Sequence, residues 1–199
     1  MEKIYKVGTI NSIKEDYGLF KSAVSGTLTE VTAEQLEGIG NIGQYAFYHS
    51  PIVNITIPNN ITSIGTAAFS SCKSLTSIAI PDSVTRLPSA VFFDCTSLTS
   101  VTIGNGVTSM DTNIFRGCIS LTSATIGNSI KSINNGVFYG CSKLESVILS
   151  SITPPTIRSD TFKNCTTLSK IIVPKGCGDA YKSATNWSTY ADIIEEATE

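Results

Sequence analysis

Apolar residues return at fixed positions along most of this chain. Phenylalanine is the clearest marker, and the members of its series lie 22 to 24 residues apart: Phe47, Phe69, Phe92, Phe115, Phe138 and Phe162. A constant period of this length is typical of a solenoid, in which similar turns of chain stack along one axis. The period therefore predicts a repeat architecture before any single helix or strand is assigned.

Each period begins with a short strand. Ile78 and Ile80 alternate with Ser77 and Ala79, and the same alternation recurs in the following periods. Alternation of this kind predicts a strand whose apolar residues face the core and whose small residues face outward. Pro81 follows directly, and proline has no amide for a continuing ladder, so the strand ends there. We expect one such parallel strand per turn, wound in the right-handed sense.

A polar corner and a turn complete the period. Asparagine or aspartate follows the strand at Asn59, Asp82, Asn105 and Asn128. Only one of the four carries a charge, which disfavours a calcium site. We expect these side chains to bond their own backbone at corners and to tolerate left-handed conformations. A second extended piece then leads to the phenylalanine, and the F-x-x-C spacing fits a turn of 3-10 or α-helix.

Cysteine follows phenylalanine by three residues in five of the six repeats, at Cys72, Cys95, Cys118, Cys141 and Cys165. One cysteine per turn makes a column, in which parallel side chains do not converge to disulfide geometry. A straight column also lacks the tetrahedral arrangement of a zinc site. We interpret these residues as buried thiols that pack as small apolar groups. Cys177 lies outside the repeat and is a candidate for an exposed thiol.

The period divides the chain into a solenoid and two ends. Residues 39–173 carry the repeats, residues 1–38 form an N-terminal segment and cap, and residues 174–199 form a C-terminal cap. Caps are required because the terminal turns of a solenoid would otherwise expose their apolar faces. Residues 1–24 match no repeat and are expected to form a polar, partly extended cover. Thr32 and Gln35 match a capping box that opens a short helix.

The C-terminal cap is expected to contain a short helix from residue 179 to 184. Large apolar residues follow this helix and are expected to cover the last turn: Trp187, Tyr190, Ile193 and Ile194. The Pro154–Pro155 pair, which precedes the last repeat, predicts an altered turn.

The charge and the candidate reactive residues of the chain disfavour several classes of function but do not identify one. Charged residues make up 15% of the chain and the net charge is −2, so nothing favours binding to nucleic acid or an anionic membrane. No segment approaches the length of a membrane-spanning helix, and the first residues show no apolar run of signal-peptide length. Either the protein is not secreted by that route or a leader has been removed. His49 is the only histidine and is expected in an exposed loop without catalytic partners. We expect no enzyme activity, cofactor or metal.

The repeat resembles the BspA-like leucine-rich repeat family of bacterial surface proteins. The resemblance rests on the corner IPDSVT at residues 80–85, the step AFSSC at residues 68–72 and a C-terminal segment with AYKSA at residues 180–184. It implies a curved leucine-rich-repeat solenoid of about six repeats, with the parallel sheet on the concave face. It also implies adhesion to a host or matrix protein and a location at the cell surface or in the secreted fraction.

The outward positions of the strands are the candidate binding face. They are small and neutral along the first four strands, which is a poor composition for a binding hot spot. The C-terminal end differs, because it combines an apolar pair with a cation: Ser146, Ile148, Lys170 and Ile172. Two interpretations stay open, an exposed contact patch and a pair partly covered by the aromatic residues of the cap.

The function that these observations favour is a non-enzymatic protein-binding or adhesion scaffold. The alternative is a passive structural or spacer module, intracellular or within a viral particle, without a dedicated ligand. An enzyme ranks third.

Overall fold

A computed structural model of the protein describes residues 29–198, so the cover expected over residues 1–24 lies outside the described residues. The described chain is a parallel β-solenoid of about seven turns. The strands are β1 (Glu30–Val31), β2 (Asn41–Ile42), β3 (Asn54–Ile55), β4 (Ser63–Ile64), β5 (Ser77–Ile80), β6 (Arg86–Leu87), β7 (Ser100–Ile103), β8 (Ser109–Met110), β9 (Ser123–Ile126), β10 (Ser132–Ile133), β11 (Ser146–Leu149), β12 (Thr156–Ile157), β13 (Lys170–Val173) and β14 (Ile194–Glu196).

Two parallel sheets run along the solenoid. The main sheet has the order β5-β7-β9-β11-β13-β14, and a second sheet of two-residue strands has the order β6-β8-β10-β12. The pairs β1–β3 and β2–β4 continue the same arrangement toward the N-terminus. Registered neighbours are one repeat apart, as in the Ser77–Ser100 and Ser100–Ser123 pairs. The predicted parallel sheet with one strand per turn is therefore confirmed, and β1 and β14 extend the stack beyond the six predicted repeats.

The six phenylalanine rings form a continuous stack in the core. Neighbouring rings have centroids 5.0–5.4 Å apart and interplanar angles of 3–15°. All six side chains are at most 3% exposed. Because the strands of a sheet lie about 4.8 Å apart, a longer step at the rings means that the turns spread toward the phenylalanine side. This geometry agrees with the expected position of the main sheet on the concave face.

The segment around each phenylalanine is a turn and not a helix. Cys95 donates its backbone N–H to the carbonyl of Phe92 at 3.3 Å, but Asp94 between them donates to Arg116 in the next turn at 2.8 Å. Backbone N–H groups of this segment thus donate alternately within the turn and to the next turn. This is possible because Ala90 and Asp94, on either side of Phe92, adopt left-handed conformations, with φ of 59° and 58°. Alanine pays a steric cost of about 1–2 kcal/mol in this conformation. The inter-turn hydrogen bonds and the buried ring offset it.

The polar residues stand at corners, as expected, but their predicted hydrogen-bond partners were wrong. Asp82 accepts the backbone N–H of Asn105 on its Oδ1 at 2.6 Å, and Asn105 accepts the N–H of Asn128 at 3.1 Å. The side chains of Asp82 and Asn105 therefore bond the next turn and not their own backbone. Asp82, Asn105 and Asn128 also lack a positive φ. Close stacking is the cause: a Cβ on Gly104 would lie 2.6 Å from Asp82 Oδ1, so the next corner meets the carboxylate directly.

Helices of the described chain occur at its ends. A 3-10 helix covers Glu34–Leu36 and places Leu36 in the core. Half of the expected capping box is present, since Thr32 donates its backbone N–H to Gln35 Oε1 at 2.8 Å. At the other end, helix α1 (Gly178–Ser183) precedes a 3-10 helix (Trp187–Ile193).

The C-terminal cap completes the core and donates hydrogen bonds to carbonyls of residues 151–157, which contain the Pro154–Pro155 pair. We call these residues the proline turn. Trp187 and Tyr190 contact the last ring of the stack, Phe162, with centroid distances of 6.1 and 5.4 Å. Three carbonyls of the proline turn accept hydrogen bonds from cap side chains at 2.7–2.8 Å: Ser151 from Tyr181 Oη, Pro155 from Trp187 Nε1 and Ile157 from Asn186 Nδ2. The cap thus supplies donors that a further turn of the repeat would otherwise provide.

Phe92→Ala tests the ring stack, and Phe93→Ala is its matched control. Phe92 is fully buried between two rings, whereas the adjacent Phe93 is half-buried. We expect Phe92→Ala to lower the free energy of unfolding by about 3–5 kcal/mol because a cavity opens in the core. Phe93→Ala should cost less than half of that value. Urea unfolding followed by circular dichroism measures both, and equal losses would contradict the stack as the main source of stability.

Candidate functional site

The outer face of the main sheet is built from the alternate residues of its strands. Along β5, β7 and β9 these residues are serine, alanine and threonine. The threonines that precede the strands are already engaged: Thr99 Oγ1 donates to the carbonyl of Thr76 at 2.9 Å, and Thr122 Oγ1 to that of Thr99 at 3.0 Å. The outward residues of these three strands carry no charge and only small side chains.

The C-terminal end of the face brings the four candidate residues together. Ile148 of β11 and Ile172 of β13 are registered neighbours, and so are Ser146 and Lys170. Both isoleucines lie on the outer side of the sheet and are half-buried. The structure therefore places two branched apolar side chains side by side on a face that is otherwise small and polar. We call these four residues the sheet patch.

Lys170 of the sheet patch is paired with an acidic residue of the last strand. Lys170 Nζ lies 3.0 Å from Glu195 Oε2, with side-chain exposures of 46% and 53%. An exposed pair of this kind contributes at most about 1 kcal/mol, so either partner can exchange it for a group on another molecule. Glu195 could not be assigned to the patch from the sequence, because β14 carries no repeat pattern. Only its pairing with β13 places it beside the patch.

The aromatic residues of the cap lie on the other side of the sheet. The registered neighbours of Ile172 are Ile148 and Glu195, and the other neighbour of Ile148 is Thr125. Trp187 is fully buried, and it and Tyr190 contact the ring of Phe162 in the core. The ring contacts of these two aromatic residues are therefore with the core ring of Phe162.

Glu196 fixes the last strand against the cap. Its two carboxylate oxygens accept the backbone N–H groups of Gly176 and Gly178 at 2.9 and 2.7 Å. These two hydrogen bonds lower the pKa of Glu196. A three-residue edge strand with two acidic residues resists pairing with a further strand. The edge of the main sheet is therefore a poor site for adding a partner strand, and the face is the better candidate.

Four thiols of the cysteine column are buried, Cys165 is half-buried, and all five are hydrogen-bonded to a preceding turn. Each thiol Sγ donates to the carbonyl of a phenylalanine in the preceding turn at 3.0–3.2 Å, in the pairs Cys72–Phe47, Cys95–Phe69, Cys118–Phe92, Cys141–Phe115 and Cys165–Phe138. All six cysteines of the chain are free. Burial raises the pKa of Cys72 and of Cys165 to about 12. These thiols stay protonated at neutral pH, which disfavours nucleophilic or metal-binding roles.

Other candidate chemistry is sparse in the described part of the chain. His49 is exposed, and its ring lies 4.2 Å from that of Tyr48 in an edge contact. Residues 29–198 contain no group of three or more His, Cys, Asp or Glu side chains that could hold a metal ion. Nor does any helix within these residues have the length and apolar character needed to cross a membrane.

A groove of about 250 Å³ lies between the proline turn and the cap. Its lining includes Pro155, Ile157 and Trp187. Trp187 Nε1 already donates to the carbonyl of Pro155, and the carbonyl of Ile157 is bonded to Asn186. The groove therefore lies along a contact between the proline turn and the cap in which both of these carbonyls are already bonded.

Comparison with known proteins agrees with this architecture. The BspA type leucine-rich repeat region matches residues 19–118 and 68–191, in six copies. The chain belongs to the BspA-type leucine-rich repeat family. A comparison with the curated proteins finds no match.

Solved structures give the BspA-type chain the same fold. The leucine-rich repeat protein TpLRR of T. pallidum is 26% identical with a TM-score of 0.64, and the match covers 73% of this chain and 70% of that one. A leucine-rich repeat protein of Eubacterium ventriosum is 24% identical with a TM-score of 0.60, covering 71% of this chain and 44% of that one. The predicted family and fold class are confirmed.

Alkylation of the native protein tests the burial of the column. Cys177 and Cys165 are both partly exposed, but burial raises the pKa of Cys165 to about 12, and the other four column thiols are buried. We expect iodoacetamide at about pH 8 to modify Cys177 alone, and all six thiols after unfolding. Mass spectrometry counts the adducts. Modification of Cys118 in the folded protein would show that the column is accessible.

Cys72→Ala tests how the raised pKa is linked to stability. The native pKa of Cys72 is about 12 against an ordinary value of 9.0, so between these values the unfolded chain loses a proton that the native state keeps. This thiol therefore lowers stability as the pH rises through that window. The native protein should lose about 2 kcal/mol more than Cys72→Ala between about pH 8 and about pH 10.5.

Ser50→Ala is the control for this measurement, because Ser50 holds the same position in the first repeat without a thiol. Its unfolding free energy should stay at a constant offset from that of the unmodified protein at both pH values. A constant offset for Cys72→Ala as well would exclude the proposed linkage. Urea titrations of all three proteins give the comparison.

Proposed function

We propose that this protein is a non-enzymatic protein-binding scaffold of the adhesion type and that a partner protein docks on the sheet patch. The observation that carries the proposal is the adjacency of Ile148 and Ile172 on the outer face, beside the Lys170–Glu195 ion pair. The BspA-type repeat supports a scaffold role, since stacked repeats create extended surfaces for binding.

The chemistry of the sheet patch suits a protein contact. Two neighbouring isoleucines give a partner an apolar surface to cover, worth about 25 cal/mol for each Å² removed from water. The adjacent ion pair adds charge at the rim, where it favours orientation and association rate more than affinity. Ser146 adds a small polar group at the same register as Lys170.

The partner and the location follow from the family resemblance. It supports a host or matrix protein as the partner and the cell surface or the secreted fraction as the place of action. The absence of enzyme activity is part of the proposal. It is supported by the protonated state of the buried thiols and by the exposed position of His49.

The double variant Ile148→Asp with Ile172→Asp tests the sheet patch. Two carboxylates in place of the apolar pair should weaken binding to an immobilised matrix protein, such as collagen or laminin, by at least about tenfold. Surface plasmon resonance measures the affinity, and circular dichroism checks the fold. Unchanged affinity would remove the patch from the proposal.

Thr102→Asp is the matched control, because Thr102 is exposed on β7 of the same face but outside the patch. Its affinity for the same immobilised protein should stay within about twofold of the original.

A passive spacer is the alternative function, and the small neutral side chains along β5, β7 and β9 favour it. A spacer would bind no member of a matrix-protein panel, and neither variant would change that result.

A further inference from the structure

A second surface of different chemistry lies on the turn side of the solenoid. In the last four of the six repeats, the residues that directly follow the buried phenylalanines form a column in which aromatic and cationic side chains alternate: Phe93, Arg116, Tyr139 and Lys163. Arg116 and Lys163 are exposed, and the two aromatic residues are half-buried. We call these four residues the turn column. Tyrosine and arginine are the residue types that dominate binding hot spots, in contrast to the residues of the sheet face.

Backbone hydrogen bonds fix the spacing of the turn column. Asp94 donates its N–H to the carbonyl of Arg116 at 2.8 Å, Gly117 to that of Tyr139 at 3.0 Å and Gly140 to that of Lys163 at 2.9 Å. Successive members are therefore one strand spacing apart, about 5 Å. It follows that the backbones of the two cationic residues lie about 10 Å apart, and so do those of the two aromatic residues.

The cations of the turn column are available to a partner. The ion pairs of residues 29–198 are Arg86–Asp111 and Lys170–Glu195, and neither includes Arg116 or Lys163. The guanidinium carbon of Arg116 lies 4.7 Å from the centroid of the Tyr139 ring. This stacking holds the guanidinium in place and leaves its N–H groups free for an acceptor.

An open strip of backbone runs beside the turn column. Gly117 and Gly140 follow Arg116 and Tyr139 in left-handed conformations, with φ of 78° and 75°. A Cβ built on Gly140 would meet nothing nearer than 4.0 Å. The equivalent positions in the flanking turns carry the side chains of Asp94 and Asn164. These two residues therefore mark the ends of the glycine strip.

We propose that the turn column and its glycine strip bind an acidic, proline-rich protein segment in the polyproline II conformation. This helix rises 3.1 Å per residue with three residues per turn, so each of its side-chain rows repeats at about 9 Å. That repeat is close to the backbone spacing of about 10 Å between the two cationic residues of the turn column, and between its two aromatic residues. A β-strand instead places side chains on one face every two residues, at about 7 Å. One row of carboxylates meets Arg116 and Lys163, and a row of prolines packs on Phe93 and Tyr139.

Asp94 limits how many carboxylates the bound segment can place along the turn column. A Cβ on Gly117 would lie 3.3 Å from Asp94 Oδ1, so this carboxylate borders the strip at the Phe93 end. A third carboxylate of the segment would be repelled there, and the site accepts two.

Two proline-rich peptides of equal composition test the spacing. One carries two glutamates three residues apart, and its isomer carries them two residues apart, which places them on different faces of the helix. We expect the first peptide to bind the full chain at least about tenfold more tightly than its isomer. Fluorescence anisotropy with labelled peptides measures both. Equal affinities would overturn the proposal.

Single variants test the site itself. Arg116→Gln and Lys163→Gln should each lower the affinity for the first peptide by about tenfold. The affinity of each variant for this peptide should then be close to that for the isomer. Asp94→Asn should strengthen it by removing the repulsion at the end of the strip. Unchanged affinity in both cation variants would overturn the assignment of the carboxylates.

Gly140→Asn fills the strip without changing the turn, because asparagine already holds the left-handed position at Asn113 and Asn164. It should weaken the first peptide by at least about tenfold. Gly38→Asn is the matched control, since Gly38 has a φ of 78° and open space around it but lies in the N-terminal cap. Equal affinity for both variants would contradict the strip.

Two further measurements distinguish the proposed peptide site from a general polyanion surface and from the sheet patch. Binding of heparin that competes with both peptides equally would show a general polyanion surface and overturn the peptide proposal. The Ile148→Asp, Ile172→Asp double variant should bind the first peptide normally, because the sheet patch lies on another side of the solenoid. A parallel loss of peptide binding in this variant would also overturn the separate site.

Discussion

Pairing between successive turns is the interaction on which the whole structure depends. A single turn has no partner within itself for most of its backbone groups, and ordering its residues costs about 1–2 kcal/mol each. The neighbouring turn supplies the partners: strand with strand in two sheets, and Asp94 with Arg116 along the phenylalanine side. The ring stack fills the space that these ladders enclose. Stability is therefore a property of neighbouring turns together, as expected for a quasi-one-dimensional repeat.

The parts of the fold that follow from periodicity could be predicted from the sequence. The positions of Phe92 and Cys95 within the turn, and the strand from Ser77 to Ile80, repeat often enough to be recognised without a structure. The left-handed pairs could not be predicted, because Ala90 carries no local preference for that conformation. Its backbone is set by the inter-turn bonds. The acceptor role of Asp82 was missed for the same reason.

The same distinction applies to the candidate site. The adjacency of Ile148 and Ile172 follows from the repeat, because alignment of successive strands places them at one position. The Lys170–Glu195 pair does not follow, since β14 belongs to a cap whose sequence has no period. The turn column is periodic too, but its alternation of aromatic and cation becomes visible only once the turns are known to be in register. Sequence repeats therefore indicate columns, whereas the structure indicates which columns are accessible.

The hydrogen bonds that side chains donate to backbone carbonyls of another turn have a common direction. Thr99, Cys118 and their equivalents all donate to carbonyls of a turn made earlier in the chain. During synthesis on the ribosome, each emerging turn therefore finds its acceptors already in place, and none of these bonds waits for sequence still to be translated. Assembly can proceed in the order of translation, with the finished portion acting as a template for the next. The tryptophan-containing cap, which emerges last, then ends the growing row.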